Sequence, residues 1–196
     1  MMKRDLDKNT IAIEYLQGLL LPEDIDALNC SLNDTSLSLE FKSYPPRIMA
    51  GIEELFPNIA IYLSSDLVSG IIIGVIANGV FDGIKSTFKL IYDRVKTKKL
   101  KCGNDEHHEI TPNVYIKIDN LNIQVPMSAE DEEFKYFTEH VFESIKKKEY
   151  KVQTFCFYDE KTHSFIYKSI FEIGEYEYQK YQERISKERH DDSEQQ

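Results

Sequence analysis

The amino-acid sequence predicts an α+β protein in which helices cover one or two mostly antiparallel sheets. Two observations predict it. Several short segments alternate apolar and polar residues with a period of two, and the last pair, 151–158 and 164–173, is joined by a short polar turn, as antiparallel strands are. One long proline-free stretch, 67–96, carries a helical period instead.

Residues 10–16 read as a strand, with Ile11, Ile13 and Tyr15 on one face. Pro22 stands where a first helical residue belongs, Glu23 and Asp24 follow in the first turn, and Ile25 and Leu28 give this short helix its apolar side. Leu37, Leu39 and Phe41 alternate with Ser38, Glu40 and Lys42, so the next strand has one wet face. These three elements make a β-α-β start. Pro45 and Pro46 break the chain, and Ile48, Ile52, Leu55 and Phe56 follow at helical spacing. Residues 58–63 fit either a strand, through Ile59, Ile61 and Leu63, or a short helix after Pro57.

Residues 65–97 read as one long central helix containing glycines. Ser64 or Ser65 caps its start, and Asp66 suits the positive end of the dipole. Phe81, Ile84, Phe88, Tyr92 and Val95 fall on one side, with Asp82, Lys85, Lys89, Asp93 and Lys96 on another. Gly70, Gly74, Gly79 and Gly83 each cost up to ~1 kcal/mol relative to alanine. Close approach of another backbone offsets such a cost. Gly70 and Gly74 are expected against the protein's own sheet, whereas Asn78, Gly79, Asp82 and Gly83, on a different face, are candidates for contact with a partner. The apolar run 67–81 contains Asn78 and stops at Asp82, short of the ~20 residues a membrane span needs. The basic residues that follow, from Lys85 to Lys101, read as a solvated face.

The polar stretch 98–112 is the best internal boundary. Val114, Ile116 and Ile118 alternate, as do Leu121, Ile123 and Val125, with a slip at Asp119–Asn120. Residues 113–126 are therefore a tight hairpin or one bulged strand. Ser128 with Asp131 begins a helix whose apolar face is Phe134, Phe137, Val141 and Ile145. In the hairpin 150–173, Phe155, Phe157 and Phe165 are assigned to one face and Tyr158, Tyr167 and Phe171 to the other. One face is core. The second needs another layer or a partner, which makes Tyr158, Tyr167 and Phe171 candidate contact residues. A weakly helical segment, through Tyr178, Tyr181 and Ile185, supplies a cover from the same chain. Residues 190–196 read as a disordered tail after a single domain, 1–189.

The net charge of −10 disfavours nucleic acid, which is held by phosphate neutralisation. The composition, 41% hydrophobic and 30% charged, is that of a soluble globular protein. No apolar segment follows the charged N-terminus, so no signal peptide is expected. Three dispersed cysteines suggest reduced thiols and a cytoplasmic location. The high usage of Ile, Lys, Asn and Tyr suggests an AT-rich bacterial genome.

Residues 102–109, CGNDEHHE, gather metal-ligand types, but the spacings of known sites are missing, so no metal is expected and His107 and His108 are the candidates should one bind. Cys156 lies mid-strand between two phenylalanines and reads as a small buried hydrophobe. His140 follows Tyr136 by four residues, a surface pairing. No nucleophile elbow, phosphate loop or dinucleotide fingerprint occurs. No catalytic residue and no cofactor emerge. The expected function is that of a non-enzymatic cytoplasmic interaction or regulatory protein, working through a protein partner or a second copy. The rivals are a membrane-acting effector that inserts 67–84 and a small metal-dependent hydrolase or nuclease built on 102–109.

Overall fold

A computed structural model describes residues 7, 9–33, 35–45, 57–74, 78–101, 109–145 and 150–194. Seven strands form one mixed sheet: β1 (Thr10–Leu16), β2 (Ser38–Tyr44), β3 (Ile59–Tyr62), β6 (Val114–Ile118), β7 (Leu121–Gln124), β8 (Thr154–Asp159) and β9 (Ser164–Ser169). Their spatial order is β2-β1-β3-β6-β7-β8-β9. A two-residue ladder, β4 (Leu100–Lys101) with β5 (Glu109–Ile110), stands apart. The helices are α1 (Pro22–Ser31), α2 (Ser65–Ile73), α3 (Asn78–Val95), α4 (Asp131–Ile145) and α5 (Ile170–Glu194).

Pairing alternates across the sheet. β1–β2, β3–β6 and β7–β8 are parallel, and β1–β3, β6–β7 and β8–β9 are antiparallel. The mostly antiparallel sheet expected from the sequence is therefore half parallel, because three β-α-β crossovers are joined edge to edge through antiparallel seams. Residues 58–63 supply a strand, β3, and 113–126 form a hairpin whose turn residue Asp119 has φ +48°. Aspartate tolerates that left-handed conformation better than most residues.

One cross-strand row explains the core. Phe41, Ile13, Ile61, Ile116, Ile123, Cys156 and Tyr167 are successive partners across all seven strands. All belong to one apolar cluster with Leu28, Ile84, Phe88, Tyr92, Phe134, Phe137 and Phe142. Helices α1 to α4 thus cover one face together. Given the strand order and directions, the β7–α4–β8 crossover must then have the opposite hand to the other two, a departure from the usual uniform right-handedness.

The residues alternating with that row, Glu40, Ala12, Tyr62, Lys117, Asn122, Phe155 and Lys168, lie on the second face. There Tyr62 donates to Glu14 Oε2 at 2.9 Å, and burial pushes the Lys117 ammonium below its usual pKa. The first turn of α5 reaches this face: Ile170 and Ile173 pack with Tyr115, Phe155 and Phe157.

The single helix expected over 65–97 is divided. α2 is capped by Ser64, whose hydroxyl accepts from Leu67 N, and ends at Gly74, a left-handed C-cap with φ +74°. Gly74 is where the chain stops being helical, so its lack of a Cβ serves the turn and not a helix–sheet contact. The strand expected over 164–173 stops at Ser169. Its hydroxyl accepts from Glu172 N, and the Glu172 carboxylate accepts from Ser169 N at 2.6 Å, a reciprocal cap that starts α5. α5 runs on to Glu194, into the stretch expected to be a disordered tail. The helical spacing through Ile48 to Phe56 lies outside the described residues.

Candidate functional site

Three surfaces carry the candidates. The first is the groove between α3 and α4, about 780 Å³. Leu90 and Phe134 give it apolar lining, and Asp82, Lys85, Lys89, Asp93, Asp131 and Glu132 are among its charged residues. These charges pair locally: Lys85 with Asp82 at 2.9 Å, Lys89 with Asp93 at 2.8 Å, and Lys96, just beyond, with Asp131 at 2.8 Å. The hydrogen bond from Lys96 holds the Asp131 carboxyl below its usual pKa, and the hydrogen bond to Asp93 holds Lys89 above its own. A rim neutralised in this way offers little net field to an ionic ligand.

The second surface is α5. Among its described residues, apolar packing against the sheet comes from Ile170 and Ile173 in the first turn. On the same helix Phe171 is 71% exposed, Tyr176 55%, Tyr178 64% and Tyr181 54%. Four large aromatic side chains more than half exposed on one helix, with Tyr176 among them met by a cation, Lys168 at 5.4 Å, set it apart from every other described helix.

The third is a hydrogen-bonded cluster where the β8–β9 turn meets α4. Tyr158 OH lies 3.1 Å from Glu133 Oε2 and 2.9 Å from His163 Nδ1. His163 Nδ1 lies 3.2 Å from the same Glu133 oxygen. Burial first, and then the Glu133 carboxylate, push the Tyr158 hydroxyl far above its usual pKa, so it stays protonated. The Tyr136 ring sits 4.8 Å from His163 and stacks on His140 at 4.0 Å.

The residues singled out from the sequence scatter over these surfaces. Asn78 is the first residue of α3. Gly79 is exposed, with nothing near the place of a Cβ, and Asp82 stands in the groove. Gly83 corrects the expectation that it faces a partner. A Cβ there would meet Leu32 and Thr35 at 3.0 Å and Leu37 at 3.5 Å, so it is the point where α3 presses on the end of α1 and the entry to β2. Tyr158 and Tyr167 are also turned inward. The register puts Tyr158 opposite Phe165 and Tyr167 opposite Cys156, so Phe165 shares their face and not that of Phe155 and Phe157. The layer over them is α4: Tyr158 meets Phe137, and Tyr167 OH pairs with Ser144 Oγ at 2.8 Å. Phe171 is on α5 and not on a strand. His107 and His108 lie outside the described residues.

Glu133, His163 and the stack of Tyr136 on His140 were not picked out as a site, because α4 and the turn meet only through tertiary packing. Among the described residues no group of three or more His, Cys, Asp or Glu is placed to hold a metal ion, and no helix is long and apolar enough to cross a membrane. No family model matches the chain, and neither a curated protein nor a solved structure matches it significantly.

Proposed function

We propose that the protein is an interaction protein whose contact surface is the aromatic side of α5. One observation carries this reading: Phe171, Tyr178 and Tyr181, spaced by seven and three residues, are each more than half exposed on a helix whose first turn packs on the sheet through Ile170 and Ile173. Large aromatic side chains are costly to leave in water and are the residues that dominate protein interfaces. A spacing of seven and three is the period with which one helix meets another. Around these rings the sequence places Glu172, Glu175, Glu177 and Glu183 against Lys180 and Arg184, a net negative balance. Charge complementarity therefore favours a basic amphipathic helix as the partner.

A photo-crosslinking amino acid placed at Tyr178 tests this reading in the cell, with the same group at exposed Glu23 of α1 as control. A discrete adduct from position 178 alone, lost when Phe171 and Tyr181 are changed to serine, supports the surface. Equal labelling from both positions refutes it.

A further inference from the structure

The cluster at the β8–β9 turn contains a chemical constraint independent of the α5 surface. Glu133, Tyr158 and His163 form a triangle of polar atoms with edges of 2.9, 3.1 and 3.2 Å. A carboxylate only accepts, and a phenol has one hydrogen to give. Tyr158 stays protonated and donates to the Glu133 oxygen. His163 Nδ1 then faces two oxygens with no hydrogen directed at it, so Nδ1 itself carries a proton. In the neutral ring this leaves Nε2 as the lone-pair nitrogen. The His163 side chain is 47% exposed, so water reaches the ring. His140 shows a related tie, its Nδ1 2.9 Å from the Tyr136 carbonyl oxygen.

We propose that His163 is a general base, with Glu133 as its positioning residue, that activates water toward a neutral ester carrying an aromatic or apolar group. Two features select that substrate class. Glu133 lies 3.2 Å from the imidazole, and the turn that carries His163 holds Asp159 and Glu160 against Lys161, a net negative balance that disfavours phosphate and carboxylate substrates. The Tyr136 ring, 4.8 Å from the imidazole, offers a flat apolar wall. Nε2 takes a proton from water as the water oxygen bonds to the acyl carbon. The bond from that carbon to the alcohol oxygen then breaks, and the departing oxygen takes the proton from Nε2. The Nδ1 proton stays on the ring, held by Glu133.

The test uses the full chain and p-nitrophenyl acetate, together with nitrogen NMR of the histidine rings. His163→Gln is expected to abolish hydrolysis above background, since positioned general bases are worth roughly 100-fold or more. His140→Gln should leave the rate unchanged. In the native chain the His163 ring should be the Nδ1–H tautomer, and Glu133→Leu should turn it into a mixture while lowering the rate about tenfold, a tenth of the loss in His163→Gln. A dominant Nε2–H tautomer in the native chain overturns the proposal whatever the rates. So does hydrolysis that survives His163→Gln, or that falls equally in His140→Gln, which marks an ordinary surface imidazole. Circular dichroism confirms that each variant is folded.

Discussion

Helices α3 and α5 hold similar aromatic residues and treat them in opposite ways. In α3, Phe88 and Tyr92 are 1% exposed, and Tyr92 stacks on Phe134 at 3.9 Å while its hydroxyl donates to the Ala129 carbonyl. In α5, Phe171 and Tyr178 are mostly in solvent. The difference lies in spacing. Ile84, Phe88, Tyr92 and Val95 recur every three or four residues with charges on the far side, so a single stripe meets the sheet. In α5 the residues that pack, Ile170 and Ile173, are followed on their side by Glu177 and Lys180, and Phe171 and Tyr178 lie elsewhere around the helix. A helix buries what its period gathers on one side. What is left outside is available to something other than its own fold.

The largest effect that could break this contrast is truncation of matched residues. Phe88→Ala should cost about 3–5 kcal/mol through lost burial and a cavity. Phe171→Ala should stay within about 0.5 kcal/mol, as an exposed side chain does. Urea denaturation of the two variants measures both, and similar losses would mean that α5 is packed as α3 is.

Next come the glycines. Gly83→Leu should cost about 1–3 kcal/mol or more by overpacking against Leu32 and Thr35, whereas Gly79→Leu, with open space around it, should not destabilise. Gly74→Ala, at φ +74°, should lose about 1 kcal/mol from backbone strain alone. A thermal melt that ranks these three variants otherwise would place the close approach of α3 elsewhere.

Much of the α3 side was legible in the sequence and little of the α5 side. The β-α-β start, the cap at Ser64, Pro22 as a first helical residue and the inward stripe of α3 all follow from local rules. Gly83 was misread because helical spacing alone gives a small patch without saying what presses on it. Leu32 and Leu37 reach it from an element some fifty residues earlier in the chain. The end of β9 was misread because Ser164 to Ile173 looks continuous, although Ser169 and Glu172 have the spacing of a capping box and could have marked the start of α5. The parallel pairings beyond that start were invisible, since a strand's alternation does not depend on the direction of its neighbour. Nor could the meeting of Glu133 with His163 be read, because residues thirty apart on a helix and a turn share no period.

A smaller effect comes from the inward phenols. Burial pushes the Tyr158 and Tyr167 hydroxyls above the usual range. Their folded-state pKa values exceed the unfolded value, so the native state prefers the protonated phenols. Their contribution is full below about pH 10, the unfolded value, and is lost as pH rises toward the folded values. Tyr158→Phe and Tyr167→Phe should each make stability less steeply dependent on pH above about 10. Urea midpoints measured across the alkaline range report the slopes, and slopes unchanged in both variants would overturn this assignment.

The smallest expected change in stability is also the most informative about function. Changing Phe171, Tyr178 and Tyr181 together to serine removes three rings from α5 but none from the core, since Ile170 and Ile173 still hold the first turn against Tyr115 and Phe155. Serine costs a few tenths of a kcal/mol per site in helix propensity, so the frayed end of α5 should lose some helicity while the melting temperature stays nearly constant. Binding should respond quite differently, because aromatic anchors at an interface each carry on the order of 2 kcal/mol or more. Titration with a basic amphipathic helical peptide would separate the two quantities. Retained affinity in the triple variant would move the contact surface to the α3–α4 groove, where Asp82 and Lys85 would be the next residues to change. A melting temperature that fell by many degrees would show instead that the rings of α5 are covered by the protein itself.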